Sequence, residues 1–128
     1  LAQGERWKVA TDVVPSRGRA IGGPRLTDHD RMLRAVKEAD FMEQLREEAR
    51  LMGWLVYHTY NSQRSEAGFP DLALVRGARM LFIECKTMVG RVTDDQQHWV
   101  DAINAVQGRI EARVFRPSDW DEIHRILL

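Results

Sequence analysis

The sequence predicts a single α/β domain in which helices flank a mixed central β-sheet. The chain has 128 residues, of which 44% are hydrophobic. This is enough for one core and too little to divide comfortably into two. Helical and strand patterns alternate in the order helix, strand, hairpin, helix, strand, helix, which places the strands in one sheet with helices packed on it.

Residues 1–26 are predicted to form an arm, possibly flexible, that precedes a domain spanning residues 27–128. The arm contains two prolines and four glycines, and neither a helical nor a strand period is sustained in it. A solvated, disordered arm is the favoured interpretation. Contact with a phosphate backbone or a partner subunit is the alternative for its arginines, which are Arg6, Arg17, Arg19 and Arg25.

The first helical pattern runs from Thr27 to Met52 with at most one interruption. Thr27, followed three residues later by Asp30, is typical of an N-cap, and Gly53 is typical of a helix end. Apolar residues spaced by four, four and three positions predict one buried face, formed by Phe41, Leu45, Ala49 and Met52.

Strand patterns occupy the middle of the chain. Aromatic and β-branched residues from Trp54 to Tyr60 predict a strand, and residues 61–68 read as a polar loop. The apolar runs 71–75 and 80–86 are joined by a short turn, so they predict an antiparallel hairpin.

The last part of the chain predicts helix, strand and helix. Thr93-Asp-Asp-Gln96 is a capping-box sequence that opens a helix through about Val106. A strand follows over residues 109–116. Ser118 is the predicted N-cap of a final helix, whose buried face is formed by Trp120, Ile123, Ile126 and Leu127.

Composition excludes some classes of protein and leaves others open. The formal net charge is zero, which neither indicates nor excludes a nucleic-acid partner. The single cysteine, Cys85, excludes an internal disulfide and a cysteine-rich zinc cluster. No apolar run approaches the roughly 20 residues that cross a bilayer. We therefore expect a cytoplasmic protein without a membrane partner.

Charged residues meet at one end of the predicted hairpin. Because side chains alternate along a strand, Phe82, Glu84 and Lys86 share one face. Asp71 begins the partner strand, so pairing brings it close to Glu84. An edge-strand ion pair is the alternative, and it would contribute little stability. Two neighbouring carboxylates repel each other unless they share a cation, and oxygen ligands suit Mg²⁺ or Mn²⁺.

These residues also carry a resemblance to a known family. Asp71 followed by Glu84-Cys-Lys86 resembles the PD-(D/E)XK nuclease signature. Gly68-Phe-Pro-Asp71, Thr93-Asp-Asp-Gln96-Gln-His-Trp99 and the closing Arg116-Pro-Ser-Asp-Trp120 occur in the order of the VRR-Nuc branch. The resemblance extends from about Lys37 to Leu128 and implies a single-domain restriction-endonuclease-like fold.

The resemblance also implies roles for individual residues. It implies a metal site formed by Asp71, Glu84 and the main-chain carbonyl of Cys85, with Mg²⁺ or Mn²⁺ as cofactor. It implies that Lys86 acts on the attacking water, and it matches Gln96 and Glu38 to a glutamine and an acidic residue of the family. The predicted catalytic residues are therefore Glu38, Asp71, Glu84, Lys86 and Gln96.

Two of these assignments have alternatives in the sequence itself. Gln96 is the third helical residue of a capping box, where helix-start hydrogen bonding alone explains a glutamine. Glu38 shares the helical stripe of Phe41 and Leu45, where an unpaired glutamate would be costly, and this favours a functional role. Glu48 lies on nearly the same face and is the rival candidate.

The resemblance implies a Mg²⁺- or Mn²⁺-dependent endodeoxyribonuclease, of bacterial or phage type, that cleaves branched DNA or four-way junctions as a homodimer. One alternative is a non-catalytic DNA- or protein-binding module that keeps the fold. Another is a restriction-type or helicase-associated nuclease. Turn arginines flank the predicted site as candidates for phosphate contacts, although such residues are usually solvated; they are Arg64, Arg76, Arg79 and Arg91.

Overall fold

The computed structural model describes residues 24–60 and 65–128, so most of the predicted arm and part of the predicted loop lie outside the described residues. Four α-helices and four strands follow one another in this part of the chain, with one short 3-10 helix, Pro117–Asp119. The helices are α1 (Asp28–Ala35), α2 (Glu38–Leu51), α3 (Asp94–Asn104) and α4 (Trp120–Leu127). The strands are β1 (Leu55–His58), β2 (Leu72–Arg76), β3 (Arg79–Cys85) and β4 (Ile110–Phe115).

The first helical pattern is interrupted once, between α1 and α2. The side chains of Thr27 and Asp30 each bond the backbone N–H of the other residue, at 3.0 and 2.9 Å, and so cap α1 as the sequence predicts. The chain then becomes extended at Val36, which packs against the core. This break lets α2 start anew at Glu38, one turn before Phe41 enters the core.

The sheet has the order β1-β2-β3-β4 and is mixed, as predicted. β1, β2 and β3 pair antiparallel, with Leu72 opposite Ile83, and β4 joins β3 in parallel, with Val114 opposite Glu84. The N–H of Lys86 continues the parallel pairing by donating to the Phe115 carbonyl at 2.9 Å. β3 therefore has a strand on each side. Its carboxyl end lies between these neighbouring strands, at one end of the sheet.

Both faces of β3 are covered, which explains its apolar sequence. On one face, α2 and α4 pack against the strands through fully buried side chains that include Phe41, Leu45, Leu81, Ile83, Cys85, Ile123 and Leu127. On the other face, α3 covers a smaller cluster formed by Val100, Ala112, Val114 and Phe82. Burying each large side chain stabilises the fold by about 1.5–3 kcal/mol.

The start of α4 differs from the prediction. Ser118 is exposed and does not cap this helix, because the chain forms the 3-10 turn from Pro117 before α4 begins at Trp120. The carboxylate of Asp119 closes this turn by accepting from the Arg116 N–H at 2.7 Å. The capping side chain is thus Asp119, one residue after the predicted Ser118, and it caps the 3-10 turn instead of α4.

The hairpin arginines serve the fold. Arg76 Nη1 donates to the carbonyls of Met52 and Leu127, at 2.9 and 2.8 Å, and Arg79 Nη1 donates to the Ile126 carbonyl at 3.1 Å. Both guanidinium groups lie over the Trp54 ring. They satisfy the last carbonyls of α4, which have no partner within the helix, at the end of the hairpin opposite Glu84.

Candidate active site

Three carboxylates come together where the strands β2 and β3 meet the start of α2. Glu38, Asp71 and Glu84 each offer an oxygen, and these atoms lie within 4.8 Å of one another. Glu38 is the first residue of α2, Asp71 directly precedes β2, and Glu84 is the penultimate residue of β3. The hairpin therefore brings Asp71 and Glu84 together as the sequence indicates.

Hydrogen bonds to the backbone fix the orientation of Asp71. Its Oδ2 accepts from the Cys85 N–H at 2.9 Å, and its carbonyl accepts from the Thr59 N–H at 3.1 Å. Leu72, the next residue, is paired with Ile83 in the sheet. The Asp71 carboxylate therefore extends the hydrogen-bonded pairing of β2 with β3 beyond Leu72. The sheet itself positions this carboxylate.

Glu84 is the only buried charged residue among those that the structure describes, with 3% of its surface exposed. Gln96 Nε2 donates to its Oε1 at 2.9 Å, and Lys86 Nζ lies 3.7 Å from the same oxygen. Burial, followed by the charge of Asp71, raises the pKa of Glu84 to about 8, and Lys86 offsets this only in part. The protein alone therefore leaves the ionised carboxylate undercompensated.

This donor set fits a divalent cation. Oxygen ligands from Asp71 and Glu84, with the Glu38 carboxylate beside them, are what Mg²⁺ and Mn²⁺ prefer. A cation among them would remove the repulsion that raises the pKa of Glu84. The fit therefore follows from the charge and chemistry of the side chains.

Cys85 contributes backbone to the site and its side chain to the core. Its thiol is fully buried in the larger core cluster, and burial raises its pKa well above the ordinary value. The thiol is therefore neutral and packs as a small apolar group. The predicted ligand atom is the main-chain carbonyl of Cys85, and that role stays a prediction.

The structure separates Glu38 from its rival Glu48. Glu48 Oε1 lies 3.3 Å from His124 Nε2 of α4 and does not belong to the acidic cluster. The prediction that Glu38 lies on the buried stripe of this helix was wrong. Glu38 is exposed, whereas Phe41 and Leu45 on the same stripe are fully buried. The first turn of α2 extends beyond the core, so its carboxylate reaches the cluster from the solvent side.

Gln96 makes two sets of contacts, one with the start of α3 and one with Glu84. Its Oε1 accepts from the Thr93 N–H at 2.9 Å, and its own N–H donates to Thr93 Oγ1 at 3.2 Å, which completes the capping box of α3. Its Nε2 donates to Glu84. Capping and contact with Glu84 use opposite ends of one amide, so they do not compete.

Arg116 has a contact at the site that the sequence analysis did not anticipate. Its Nη1 donates to the carbonyls of Thr87 and Gly90, at 2.5 and 2.7 Å, and so holds the turn that follows Lys86. A Cβ placed on Gly90 would lie 3.5 Å from Lys86 Cδ, which shows how closely this turn covers the lysine stem. The sequence shows only an arginine after a strand, since its partners are carbonyls 26 and 29 residues away.

The family model of the VRR-NUC domain matches residues 26–116, which include the three acids, Lys86 and Gln96. The chain belongs to the VRR-NUC domain family. It is therefore a nuclease with DNA as its partner, and nucleases of this family depend on a metal ion. Searches of curated proteins and of solved structures gave no significant match. Among the described residues, no helix is both long enough and apolar enough to cross a membrane.

Two sequence motifs of this VRR-NUC domain form one physical contact. Trp99 Nε1 donates to the Ala67 carbonyl at 3.0 Å, and the Phe69 ring packs against Trp99, with 5.1 Å between ring centroids. Gly68 has a φ of +88°, and a Cβ there would lie 2.4 Å from the carbonyl carbon of Asp95. The loop before Asp71 therefore docks on the first turn of α3, which carries Gln96.

Gly68→Ala is expected to destabilise the VRR-NUC domain and weaken this docking. The left-handed backbone costs an alanine about 1–2 kcal/mol, and the overlap with α3 adds about 1–3 kcal/mol. Gly77→Ala is the matched control, because Gly77 also has a positive φ, +57°, but a Cβ there meets no atom within 4 Å. Urea unfolding measures both, and an equal loss of stability in the two variants would contradict the close contact.

The raised pKa of Glu84 predicts a pH dependence of the metal-free protein. Between the ordinary value of 4.5 and about 8, the folded chain binds this proton more tightly than the unfolded chain. The free energy of unfolding should therefore fall as the pH rises through this window. Glu84→Gln stays neutral and should remove this part of the slope. Urea unfolding in chelator at several pH values provides the measurement, and equal slopes in both proteins would refute the assignment.

Proposed function

We propose that this VRR-NUC domain is a Mg²⁺- or Mn²⁺-dependent endodeoxyribonuclease that hydrolyses phosphodiester bonds in branched DNA, such as a four-way junction. The observation that carries the proposal is the buried Glu84 carboxylate, which lies in one cluster with Asp71 and Glu38 and contacts Lys86 and Gln96. Burying a carboxylate this deeply destabilises a fold unless the site gains something from it. Binding a cation next to the scissile phosphate provides that gain.

The side chains have distinct tasks in this mechanism. Asp71 and Glu84 would hold the metal together with the Cys85 carbonyl, and Glu38 stands beside them. When bound, the metal polarises a phosphoryl oxygen and lowers the pKa of water. Lys86 Nζ lies 3.7 Å from Glu84 Oε1, where it would position the attacking water. Water is the nucleophile, so no activated side chain is required.

Neighbouring residues keep these groups in place. Gln96 holds the Glu84 carboxylate through its Nε2, and the Cys85 N–H holds Asp71. Arg116 anchors the turn that covers the Lys86 stem. Fixing catalytic groups before the substrate arrives lowers the barrier, because little reorganisation remains for the reaction itself.

We also propose that the enzyme acts as a homodimer. The described residues of one chain contain a single group of three acids that could hold a metal ion. One such site cuts one strand at a time, whereas resolving a junction requires a cut in each of two strands. Two copies of the chain would supply the two sites.

The alternative is a binding module that keeps the fold without catalysis. It is disfavoured because Asp71, Glu84 and Lys86 are all present and lie side by side. A restriction-type or helicase-associated nuclease would use the same chemistry on another DNA. The choice among these depends on the substrate, so the test compares several DNAs.

Cleavage of labelled single-stranded, linear duplex and four-way-junction DNA with Mg²⁺, Mn²⁺ or chelator tests the proposal. We expect cutting only with metal and preferentially at the junction. Asp71→Asn keeps an oxygen that can accept from the Cys85 N–H, so it should fold while losing activity. Lys86→Ala should lose about a hundredfold or more, and Gln96→Ala about 10- to 100-fold, as expected for a residue that orients a metal ligand.

Glu38→Ala and Glu48→Ala form a matched pair on the same helix. Loss of cutting in the first and full activity in the second, at unchanged melting temperature, is expected because only Glu38 belongs to the cluster. Metal-independent cutting, or full activity of both Asp71→Asn and Lys86→Ala, would refute the mechanism. Tight junction binding without cutting would favour the binding module.

Mixing the parent chain with Asp71→Asn tests the homodimer. A mixed dimer has one intact site, so an excess of the variant should convert resolved junctions into junctions nicked in one strand. Light scattering at the assay concentration should give the mass of two chains. Resolution of junctions by a monomeric species would rule out the paired sites.

A further inference from the structure

A cavity of about 490 Å³ lies between α2 and the outer edge of β1. The residues of interest in its lining are basic or aromatic, and we call this surface the tyrosine groove. They are Arg46, Arg50, Tyr57, His58 and Tyr60. None of them belongs to the acidic cluster, so the groove is distinct from the metal site.

The tyrosine groove is nevertheless connected to the acidic cluster through the sheet. Thr59, which also lines it, donates its N–H to the Asp71 carbonyl at 3.1 Å, and His58 is paired with Leu72. The groove therefore begins one strand away from a proposed metal ligand. The groove and the acidic cluster therefore lie at the same end of the sheet, where β1 ends and β2 begins.

The charge of the lining suits a phosphate. Both charged residues of the lining, Arg46 and Arg50, are basic, although the whole chain is neutral. Arg46 is largely buried and pairs with Glu43 at 2.8 Å, so its charge is partly offset. Arg50 is exposed one turn further along α2. Arg50 is therefore the side chain expected to meet a phosphate oxygen.

The aromatic residues of the lining suit a base. Tyr60 is 82% exposed, although it is large and apolar over most of its surface. The side chain of Tyr57 lies on the opposite face of β1 from His58, because Tyr57 pairs with Ala73 on the face that α3 covers. Tyr60 is held in place by the His58 ring, with centroids 4.5 Å apart, and by Arg46 Nη2, which lies 3.5 Å from its hydroxyl. An exposed aromatic ring beside arginines is a combination that binds unpaired strands, since the bases of a duplex are stacked on one another and their faces are covered.

We propose that the tyrosine groove binds an unpaired DNA strand next to the scissile phosphate, with Arg50 at a phosphate and Tyr60 against a base. This inference rests on the proposed DNA cleavage at the acidic cluster, and it adds an unpaired strand beside the branch to what the enzyme recognises in branched DNA. A peptide added to the open edge of β1 would use backbone hydrogen bonds, and it would not require two arginines and an exposed tyrosine.

Binding measurements on Asp71→Asn protein with Mg²⁺ test the groove without cleavage. Two labelled probes have the same paired length, one blunt and one with an unpaired extension. We expect tighter binding of the extended probe. Adding Tyr60→Ala should weaken binding of that probe about fivefold or more, leave the blunt probe unchanged, and be rescued by phenylalanine. Adding Tyr57→Ala is the matched control and should keep the binding of both probes, because its side chain lies on the opposite face of β1.

The salt dependence tests Arg50 separately. Losing one phosphate contact to a single strand should reduce the slope of log affinity against log salt by about 0.7 for Arg50→Gln. Arg125→Gln, an exposed arginine of α4, is the matched control and should keep the parent slope.

The outcomes separate the two proposals. Equal binding of the two probes, or a Tyr60→Ala variant that weakens both probes alike, would overturn the tyrosine groove and leave cleavage at the acidic cluster standing. Failure of the Asp71→Asn protein to bind either probe or a four-way junction would instead count against the proposed function, and the groove would fall with it.

Discussion

The structure depends on one constraint: β3, a strand covered on both faces, carries the carboxylate of Glu84 near its end. β3 lies between β2 and β4 with helices above and below, so its apolar side chains form much of the core. Glu84 lies at the end of this strand and is buried with them. Its ionised form is stabilised by only one amide and one ammonium group. The remaining negative charge would favour a cation at this site, so core packing and the proposed metal binding share one strand.

The positions of the site residues depend on ordinary local structure. Asp71 is placed by the end of a β-ladder, Gln96 by a helix cap, and Lys86 by a turn that Arg116 anchors. Each of these local structures stabilises the fold and also orients one of the proposed site residues. Changes in activity and changes in stability are therefore coupled at this site, and a variant has to be judged on both measurements together.

Local patterns in the sequence were sufficient for the hairpin, for the mixed α/β character of the fold and for most of the cluster. Alternation along residues 80–86 predicted which side chains of β3 face α3, and the hairpin predicted that Asp71 meets Glu84. The capping sequences at Thr27 and Thr93 marked true helix starts. These features depend on neighbours in the sequence, so a single chain reveals them.

Features set by distant contacts could not be predicted in this way. Helical spacing placed Glu38 on the buried stripe, but it cannot show where α2 extends beyond the sheet. The partners of Arg76 and Arg79 could not be read from neighbouring residues either, because they include carbonyls of α4, about 50 residues away. Ser118 was chosen as a cap by residue type, whereas the chain uses the carboxylate of Asp119 to close a turn.

The part of the chain needed for folding is longer than the segment that matches the family model, because α4 packs into the core. The family model ends at residue 116, but Ile123 and Leu127 beyond it are fully buried, and the Leu127 carbonyl accepts from Trp54 Nε1 at 2.9 Å. A fragment cut at the end of the likeness would contain every proposed catalytic side chain and still expose one face of its core to water. The boundaries of a shorter fragment that still folds therefore have to follow the core packing, and such a fragment includes α4.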